Sequence, residues 1–343
     1  MRIKREHLTL LLNRLVDRGD ARFAVEHPSD EIGELLTVDL TGNDDVTIEF
    51  TSGVEEYAAA REEIGRQHPE RVYADLPSAD EYRNALLASG IVDIANRDEV
   101  ETFLDRYGDP DLMAGHPPAF AGFDTNLMPW RIDRVLGLHS GDSVGNVNGF
   151  VLATGVRDEL TWDNKCHDTD PFVEAFGPVY EEYWNQPLGS ARVGRLGLLA
   201  YRRIRDVEQA VEVQSERGDE AIIAAYDEYD RDYRSDILLF SNDRNFVERA
   251  RAHRLLGQRV DFPDQLPDET TAMWRDVELL LYMLAIVFGV VELPSVTVYG
   301  VWRGKDELDW QHERVNLDAR SPKLDEKLVG DLSIVESYEE LRD

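Results

Sequence analysis

Four acidic side chains in the sequence stand where they could act together on one substrate. Each ends a predicted strand, follows one closely or opens a predicted helix: Asp124, Glu159, Asp219 and Asp243. Asp158 is an alternative to Glu159, because the two are neighbours after the same predicted strand. The ligand crevice of an open parallel sheet lies outside the carboxyl ends of its strands. We therefore expect these carboxylates to converge at one edge of a sheet.

Carboxylates that converge favour the binding of a divalent cation. They repel one another and raise their own pKa values unless a cation neutralises them. Hard ions such as Mg²⁺ and Mn²⁺ prefer oxygen ligands of this kind. Such an ion can convert a water molecule into a nucleophile and stabilise the leaving oxygen of a phosphodiester. The sequence therefore predicts a Mg²⁺ or Mn²⁺ site in which the same four acids are the ligands and the catalytic residues.

The stretch from residue 118 to residue 262 alternates between apolar strands and helices. This alternation is typical of a parallel sheet with helices on both faces, an α/β core of three layers. The predicted strands cover residues 119–124, 150–154, 236–240 and 258–262. The predicted helices cover residues 171–183, 191–215, 220–232 and 244–256.

Two further segments flank this core, and each is predicted to be a separate part of the fold. Proline and glycine between residues 108 and 118 interrupt both regular periods and mark a boundary. Residues 1–115 are predicted to form an α+β domain, with helices at 7–18, 54–67, 79–89 and 97–107 and a strand at 46–50. Residues 263–343 are predicted to form an extension that packs on the core, with a buried helix at 274–288 and an exposed-edge strand at 296–302.

Four short motifs of the core resemble the PIN-domain family of metal-dependent ribonucleases. They are Phe-Asp-Thr-Asn at 123–126, Asp-Glu-Leu at 158–160, Gly-Asp-Glu-Ala-Ile-Ile at 218–223 and Leu-Leu-Phe-Ser-Asn-Asp-Arg-Asn-Phe at 238–246, in the order of the family. The resemblance covers about residues 120–262. It implies a PIN-like core whose acidic quartet binds the metal: Asp124, Glu159, Asp219 and Asp243. It also implies that three polar side chains hold those acids by hydrogen bonds: Thr125, Asn126 and Ser241.

The resemblance implies a metal-dependent endoribonuclease that hydrolyses phosphodiester bonds of RNA. Many relatives carry a further aspartate after the third strand, where this chain has Asn245, and the loss of that charge leaves a non-catalytic module that binds RNA or a protein as an alternative. A phosphatase of the haloacid dehalogenase type is a second alternative, but that family needs an acid where this chain has Asn126. Arginines of the helix predicted at 191–215 could follow a phosphate backbone, with Arg195 and Arg202 as candidates, or could form ion pairs with neighbouring acids.

The chain is strongly acidic, with 69 acidic against 37 basic residues and a formal net charge of −32. All but five of the basic residues are arginine, and acids occur in nearly every segment, a composition that resembles haloarchaeal-type proteins of a high-salt cytoplasm. In molar salt the Debye length falls to about 3 Å, and counterion release adds little to nucleic-acid binding. The net charge therefore does not exclude an RNA partner.

The remaining composition favours a cytoplasmic protein. A single cysteine, Cys166, permits neither an internal disulfide nor a cysteine zinc cluster. The first residues lack the apolar run of a signal peptide. The most apolar window, residues 277–293, falls short of the roughly 20 residues of a membrane span. We expect no membrane partner, and the flanking segments leave a homodimer or a larger complex open.

Overall fold

The computed structural model of the chain describes residues 1–42, 45–138, 146–160, 166, 168–184, 186–300 and 313–341. The strands in this part of the chain are β1 Arg2–Lys4, β2 Arg22–Glu26, β3 Glu34–Asp39, β4 Val46–Phe50, β5 Ala119–Phe123, β6 Gly149–Ala153, β7 Val211–Val213, β8 Asp236–Ser241, β9 Leu256–Arg259, β10 Glu269–Ala272, β11 Val290–Leu293, β12 Val296–Gly300 and β13 Arg314–Ala319. The helices are α1 Leu8–Asp17, α2 Val54–Gln67, α3 Glu70–Asp75, α4 Ala79–Ala88, α5 Arg97–Tyr107, α6 Ile132–Val135, α7 Thr154–Glu159, α8 Asp170–Phe176, α9 Ser190–Val207, α10 Asp219–Tyr233, α11 Arg244–Ala252, α12 Trp274–Phe288 and α13 Pro322–Glu340.

The chain forms two compact units, and each is built from separate stretches of sequence. The first unit comprises Met1–Val92, Asn164–Arg192 and Gln265–Asp343, and the second comprises Asp93–Asp163 and Val193–Asp264. This division differs from the predicted one into residues 1–115, 118–262 and 263–343. Strands from both ends of the chain pair within one sheet, β1 with β13 and β4 with β10. Local periodicity carries no information about such distant pairing, so the sequence could not reveal it.

The first unit contains an eight-stranded sheet with the order β1-β13-β12-β11-β2-β3-β4-β10, and its neighbouring strands run antiparallel. Helix α12, which is buried along most of its length, packs against β11 and β12. A Cβ at Gly300 would lie 2.5 Å from the carbonyl oxygen of Ala285, so the glycine permits the close approach of helix and strand. A strand begins at Val296 as predicted for 296–302, but the prediction that it is an exposed edge is wrong. Strand β12 lies between β11 and β13 with all five of its residues buried, and residues 301 and 302 lie outside the described residues.

The second unit contains a five-stranded parallel sheet with the order β7-β6-β5-β8-β9. Along the chain this is the order third, second, first, fourth, fifth, so the first strand, β5, lies at the centre. The chain leaves β5 in one direction toward β6 and later continues on the other side with β8. Between β5 and β8 the order of the strands reverses, and ligand crevices of open parallel sheets occur at such points.

Helices cover both faces of the parallel sheet. On one face the ring of Phe120 meets Tyr229 of α10 at 5.9 Å between ring centroids. On the other face Phe123 stacks on Phe240, which contacts Phe103 of α5 at 5.9 Å. Adjacent positions on a strand point to opposite faces, which explains why Phe120 and Phe123 meet different helices. The predicted mixed α/β class with a parallel sheet is confirmed.

Other predicted elements of the chain also differ from those observed. The helix predicted at 191–215 ends at Val207, and Val211–Val213 forms the edge strand β7, whose exposed side chains give it no apolar run. The helix predicted at 171–183 is α8 followed by the 3₁₀ helix Pro178–Tyr183. The strand predicted at 258–262 is β9, Leu256–Arg259, because its pairing with β8 sets its bounds. Within the described part of the chain, none of the helices combines the length and apolar character of a membrane crossing.

Candidate functional site

Asp124 is fixed at the carboxyl end of the central strand β5. Its backbone N–H donates to the carbonyl of Phe240 at 3.0 Å, which extends the pairing of β5 with β8 by one residue. Its carboxylate accepts the N–H of Thr125 at 2.7 Å and the hydroxyl of Ser241 at 2.5 Å. Only 6% of the residue is exposed. The side chain is therefore held in one position by two neutral donors.

The environment of Asp124 disfavours its charged form. Burial raises the pKa of its carboxyl from 3.8 to about 6, although the bonds from Ser241 and Thr125 oppose the rise. The charges of Asp219 and Glu159 contribute to the same rise, because a second negative charge disfavours ionisation of the first. No arginine or lysine of the described residues forms an ion pair with Asp124. Asp124, Glu159 and Asp219 therefore influence one another electrostatically. Asp124, which is buried, has no basic ion-pair partner among the described residues.

Glu159 is the last residue of α7, and its side chain turns toward the same region. One carboxylate oxygen accepts the N–H of Gly218 at 2.7 Å, and the other accepts the hydroxyl of Thr125. Its neighbour Asp158 pairs instead with Arg157, with 2.9 Å between the charged atoms. The structure therefore distinguishes the two alternatives left by the sequence and places Glu159 beside Asp124.

Asp219 is the first residue of α10 and forms an ion pair with a basic side chain. Its carboxylate accepts a hydrogen bond from the guanidinium of Arg249, a residue of α11, at 3.1 Å. Both side chains are substantially exposed, at 41% for Asp219 and 51% for Arg249. An ion pair so open to solvent contributes little stability, so Asp219 can exchange this partner for another cation.

Asp243 caps a helix. Its carboxylate accepts the N–H of Asn245 at 2.8 Å at the start of α11, which is the common N-cap arrangement. Its own N–H donates to the hydroxyl oxygen of Ser241 at 2.9 Å, so Ser241 connects Asp243 to Asp124. The side chain of Asn245 is exposed and makes no hydrogen bond within the described part of the chain. The structure thus gives Asp243 a local role at the edge of the site.

Two of the three polar residues implied by the resemblance do hold the acids. Ser241 donates to Asp124, and the hydroxyl of Thr125 donates to Glu159. The amide oxygen of Asn126 is buried and has no hydrogen-bond partner among the described residues. Among the described residues, no hydrogen bond therefore joins Asn126 to any of the acids.

Tyr226 is a residue that the sequence did not indicate. Its buried hydroxyl donates to the carbonyl of Phe123 at 3.1 Å and accepts from the N–H of Ala153 at 3.3 Å. It thereby joins the ends of β5 and β6, from which the chain continues to Asp124 and to α7. A Cβ at Gly122 would lie 2.9 Å from the ring of Tyr226, so a glycine inside strand β5 was the available signal.

A second set of hydrogen bonds fixes α7 against the segment that leads into α10. The N–H of Ser215 donates to the hydroxyl of Thr154 at 2.9 Å, and the N–H of Gly155 donates to the hydroxyl of Ser215 at 2.8 Å. Glu159 ends α7 and Asp219 begins α10. These bonds therefore set the separation of the two acids.

The arginines of α9 mostly serve the interior. Three of them form ion pairs with acids: Arg192 with Asp75, Arg203 with Asp133 and Arg205 with Asp206. Arg195, a predicted phosphate ligand, is only 3% exposed, so its guanidinium is not presented on the surface for an RNA backbone. Arg202 is partly exposed, and its assignment stays a prediction. The ion-pair alternative fits this helix better than a phosphate-binding face.

The closest set of possible metal ligands lies elsewhere in the described residues. One atom each of Glu6, His7 and Glu339 lie within 4.8 Å of one another, whereas the four acids of the second unit do not meet this condition. The ammonium of Lys4 already lies 2.7 Å from Glu339 and 3.6 Å from Glu6. The ammonium of Lys4 thus already lies beside two carboxylates of this first cluster. No three of the four acids of the second unit bring ligand atoms within the same 4.8 Å.

Comparison with known proteins assigns no family to the chain. No protein-family model matches it, and no curated protein is significantly similar to it.

Proposed function

We propose that the second unit is a PIN-like, metal-dependent endoribonuclease that hydrolyses RNA phosphodiester bonds at Asp124. One observation carries the proposal: Asp124 is buried at the carboxyl end of the central parallel strand, beside Glu159 and Asp219, with no basic partner among the described residues. Ser241, which holds it, ends the neighbouring strand β8. The two residues therefore lie where the strand order reverses, the usual place of a ligand crevice in such sheets.

The donor atoms near Asp124 fit a hard divalent cation. All are carboxylate or hydroxyl oxygens, which Mg²⁺ and Mn²⁺ prefer. Burial is the main cause of the raised pKa of Asp124, and the charges of Asp219 and Glu159 add to it. A bound cation would neutralise this negative charge. Asp124, Glu159 and Asp219 would hold the ion, with Asp243 contributing from the edge of the site. When bound, an ion of this kind activates a water molecule and stabilises the leaving oxygen of the phosphodiester.

The protein residues have distinct parts in this proposal. Ser241 and Thr125 orient Asp124 and Glu159 by their hydroxyl groups. Arg249 compensates Asp219 until a cation or substrate replaces it, since the pair is exposed and exchangeable. Tyr226 keeps the ends of β5 and β6 at a fixed separation. Efficient catalysis requires that the reacting groups are held within about 0.5 Å of their productive positions, and contacts of this kind hold them.

A non-catalytic RNA-binding module is the second candidate. Two observations favour it: the carboxylate of Asp243 is engaged as a helix cap, and Asp219 is paired with Arg249. Asn245 adds no charge at the same edge. The haloacid dehalogenase alternative has no comparable support, because Asn126 supplies no carboxylate at the position where that chemistry needs one.

Cleavage of RNA in molar KCl with Mn²⁺ distinguishes these functions. We expect the wild type to cleave RNA and Asp124→Asn to reduce the rate by more than about 100-fold, the upper end for losing only a partner of a metal ligand. Asp236→Asn is the matched control, since Asp236 is a partly buried aspartate with a raised pKa at the opposite end of β8. It should leave the rate within about twofold, as expected for a residue distant from the reacting atoms.

Thermal unfolding provides a reading that does not depend on activity. Mn²⁺ at 100 times its dissociation constant should stabilise the wild type by about 2.7 kcal/mol and Asp124→Asn by far less. The nuclease proposal is abandoned if no RNA is cleaved and Mn²⁺ stabilises both proteins equally. RNA binding without cleavage and without a Mn²⁺ effect would instead establish the non-catalytic module.

A further inference from the structure

The segment that follows Asp243 carries positive charge in an otherwise acidic chain. Between residues 244 and 259 the sequence has five arginines against one acid, Glu248, a net charge of +4 with His253 neutral, whereas the whole chain carries −32. These arginines, called the α11 arginine surface below, are Arg244, Arg249, Arg251, Arg254 and Arg259. A local excess of this size marks a surface that attracts anions.

All five arginines of this surface are exposed. Helix α11 buries Phe246, Val247 and Ala250 and packs against β8 and β9, so its arginines turn to solvent. The side chains of Arg244 and Arg249 are 76% and 51% exposed. This distribution differs from that on α9, where Arg192, Arg195 and Arg203 are buried.

The partners of these arginines leave them free to bind a ligand. Three pair with an acid: Arg244 with Glu248 at 2.9 Å, Arg249 with Asp219 at 3.1 Å and Arg259 with Asp261 at 2.6 Å. Arg251 donates to the carbonyl of Gly257, and Arg254 has no partner within the described residues. Exposed ion pairs are weak and exchange readily. A phosphate that accepts two parallel hydrogen bonds from a guanidinium is a stronger partner.

The α11 arginine surface begins at the acidic site. Asp243 caps α11, and Arg244 is the first residue of the helix. Arg249, more than one turn later, reaches Asp219. Arg217, which immediately precedes Gly218 and Asp219, is also exposed and has no partner among the residues that the structure describes. Arginines therefore lie close in sequence to two of the acids, Asp219 and Asp243.

We propose that the α11 arginine surface binds the sugar-phosphate backbone of RNA and guides it to Asp124. The inference rests on the proposed function for the identity of the cleavage site, and it moves the substrate-binding residues from α9 to α11. Contacts of this kind position a strand without reading its sequence. Molar salt weakens such binding, so several arginines must act together.

RNA binding to a catalytically silent protein tests the inference. In the Asp124→Asn background, Arg244→Gln with Arg254→Gln is compared with Arg66→Gln with Arg231→Gln. The control arginines are both 67% exposed and each pairs with a carboxylate on its own helix, as Arg244 does. Arg251 is retained because its bond to Gly257 ties α11 to β9. A fluorescent single-stranded RNA oligonucleotide serves as the probe, titrated at a series of KCl concentrations.

The Arg244→Gln/Arg254→Gln double variant, called the α11 pair, should bind RNA at least about tenfold more weakly at the lowest KCl concentration. The slope of its log binding constant against log KCl concentration should become less steep by about 0.7 per lost phosphate contact. The control pair should change neither quantity. Equal losses in both pairs would overturn the inference, because net charge alone would then account for them. Unchanged binding in the α11 pair would overturn it as well, even if the wild type cleaves RNA. A specific loss in the α11 pair supports it, even if the wild type proves to have no nuclease activity.

Discussion

Asp75 in the first unit and Asp124 in the second are buried to nearly the same degree, at 3% and 6% exposure, but their partners differ. Asp75 forms an ion pair with the fully buried Arg192 and also accepts the hydroxyl of Tyr183 at 2.6 Å and the N–H of Gly189 at 3.0 Å. Within the described residues, the donors to the carboxylate of Asp124 are neutral. A buried carboxylate with a matched cation fixes a fold, whereas one without a cation can bind one.

The surroundings of Arg192 show how completely the first case is satisfied. Its guanidinium donates to the backbone carbonyls of Pro187 at 3.0 Å, Val287 at 2.6 Å and Asp75 at 3.1 Å. It also donates to the hydroxyl of Tyr183. Buried charges are tolerated when they are both paired and hydrogen-bonded. These bonds join three separate segments of the first unit, so the pair acts on the fold itself.

The largest effect is expected where the matched pair is broken. Asp75→Asn leaves the charge of Arg192 buried and uncompensated, and it should lower the free energy of unfolding by about 3–5 kcal/mol. Urea unfolding in molar KCl measures the loss. Asp168→Asn, which breaks the exposed pair with Arg71, is the control and should cost less than about 1 kcal/mol. Similar losses in both variants would remove the distinction between the two classes of aspartate.

Asp124→Asn should instead raise the free energy of unfolding. The pKa of Asp124 in the folded protein, about 6, is above the ordinary 3.8, so the native state holds the proton more tightly. The free energy of unfolding of the wild type should therefore fall as the pH rises from about 4 to about 6 and stay level above that. The difference between the two pKa values corresponds to roughly 3 kcal/mol, an upper limit for the stabilisation by the neutral asparagine at neutral pH.

Urea unfolding of wild type and Asp124→Asn without divalent ions, at several pH values across this range, tests the sign. The variant should be more stable above pH 6, and the advantage should disappear toward pH 4. Asp168→Asn again serves as the control, here for the loss of a carboxylate that is largely exposed. An advantage that does not change with pH would mean that the charge of Asp124 is not its cause.

A smaller effect is expected from Tyr226→Phe. The change removes one hydroxyl and leaves the carbonyl of Phe123 and the N–H of Ala153 buried without a partner, at a cost of about 1–3 kcal/mol. Amide hydrogen exchange at Ala153 should become faster, and Mn²⁺ should bind less tightly. Tyr229→Phe is the matched control, because Tyr229 lies one turn further along α10 and its hydroxyl has no hydrogen-bond partner in the described part of the chain. Equal stability losses would contradict a positioning role for Tyr226.

The sequence by itself determined the local elements that carry the acids. Apolar runs predicted β5, β6 and β8 within about two residues, and α10 and α11 begin within one residue of their predicted starts. Three acids at these ends, Asp124, Glu159 and Asp219, do share one environment. The physical reason is that the periodicity and the ends of helices and strands depend on local sequence. The carboxyl ends of parallel strands then lie at the same edge of the sheet.

Only the tertiary structure decided the partners. It joined the first and last segments of the chain in one sheet and placed the hydroxyl of Tyr226 between β5 and β6. Among the described residues, it also gave the cation Arg192 to Asp75 and none to Asp124. It also turned the arginines of α11 outward while burying Arg195. These outcomes depend on residues distant in sequence, and the free energy of a buried charge depends on the partners that folding brings to it.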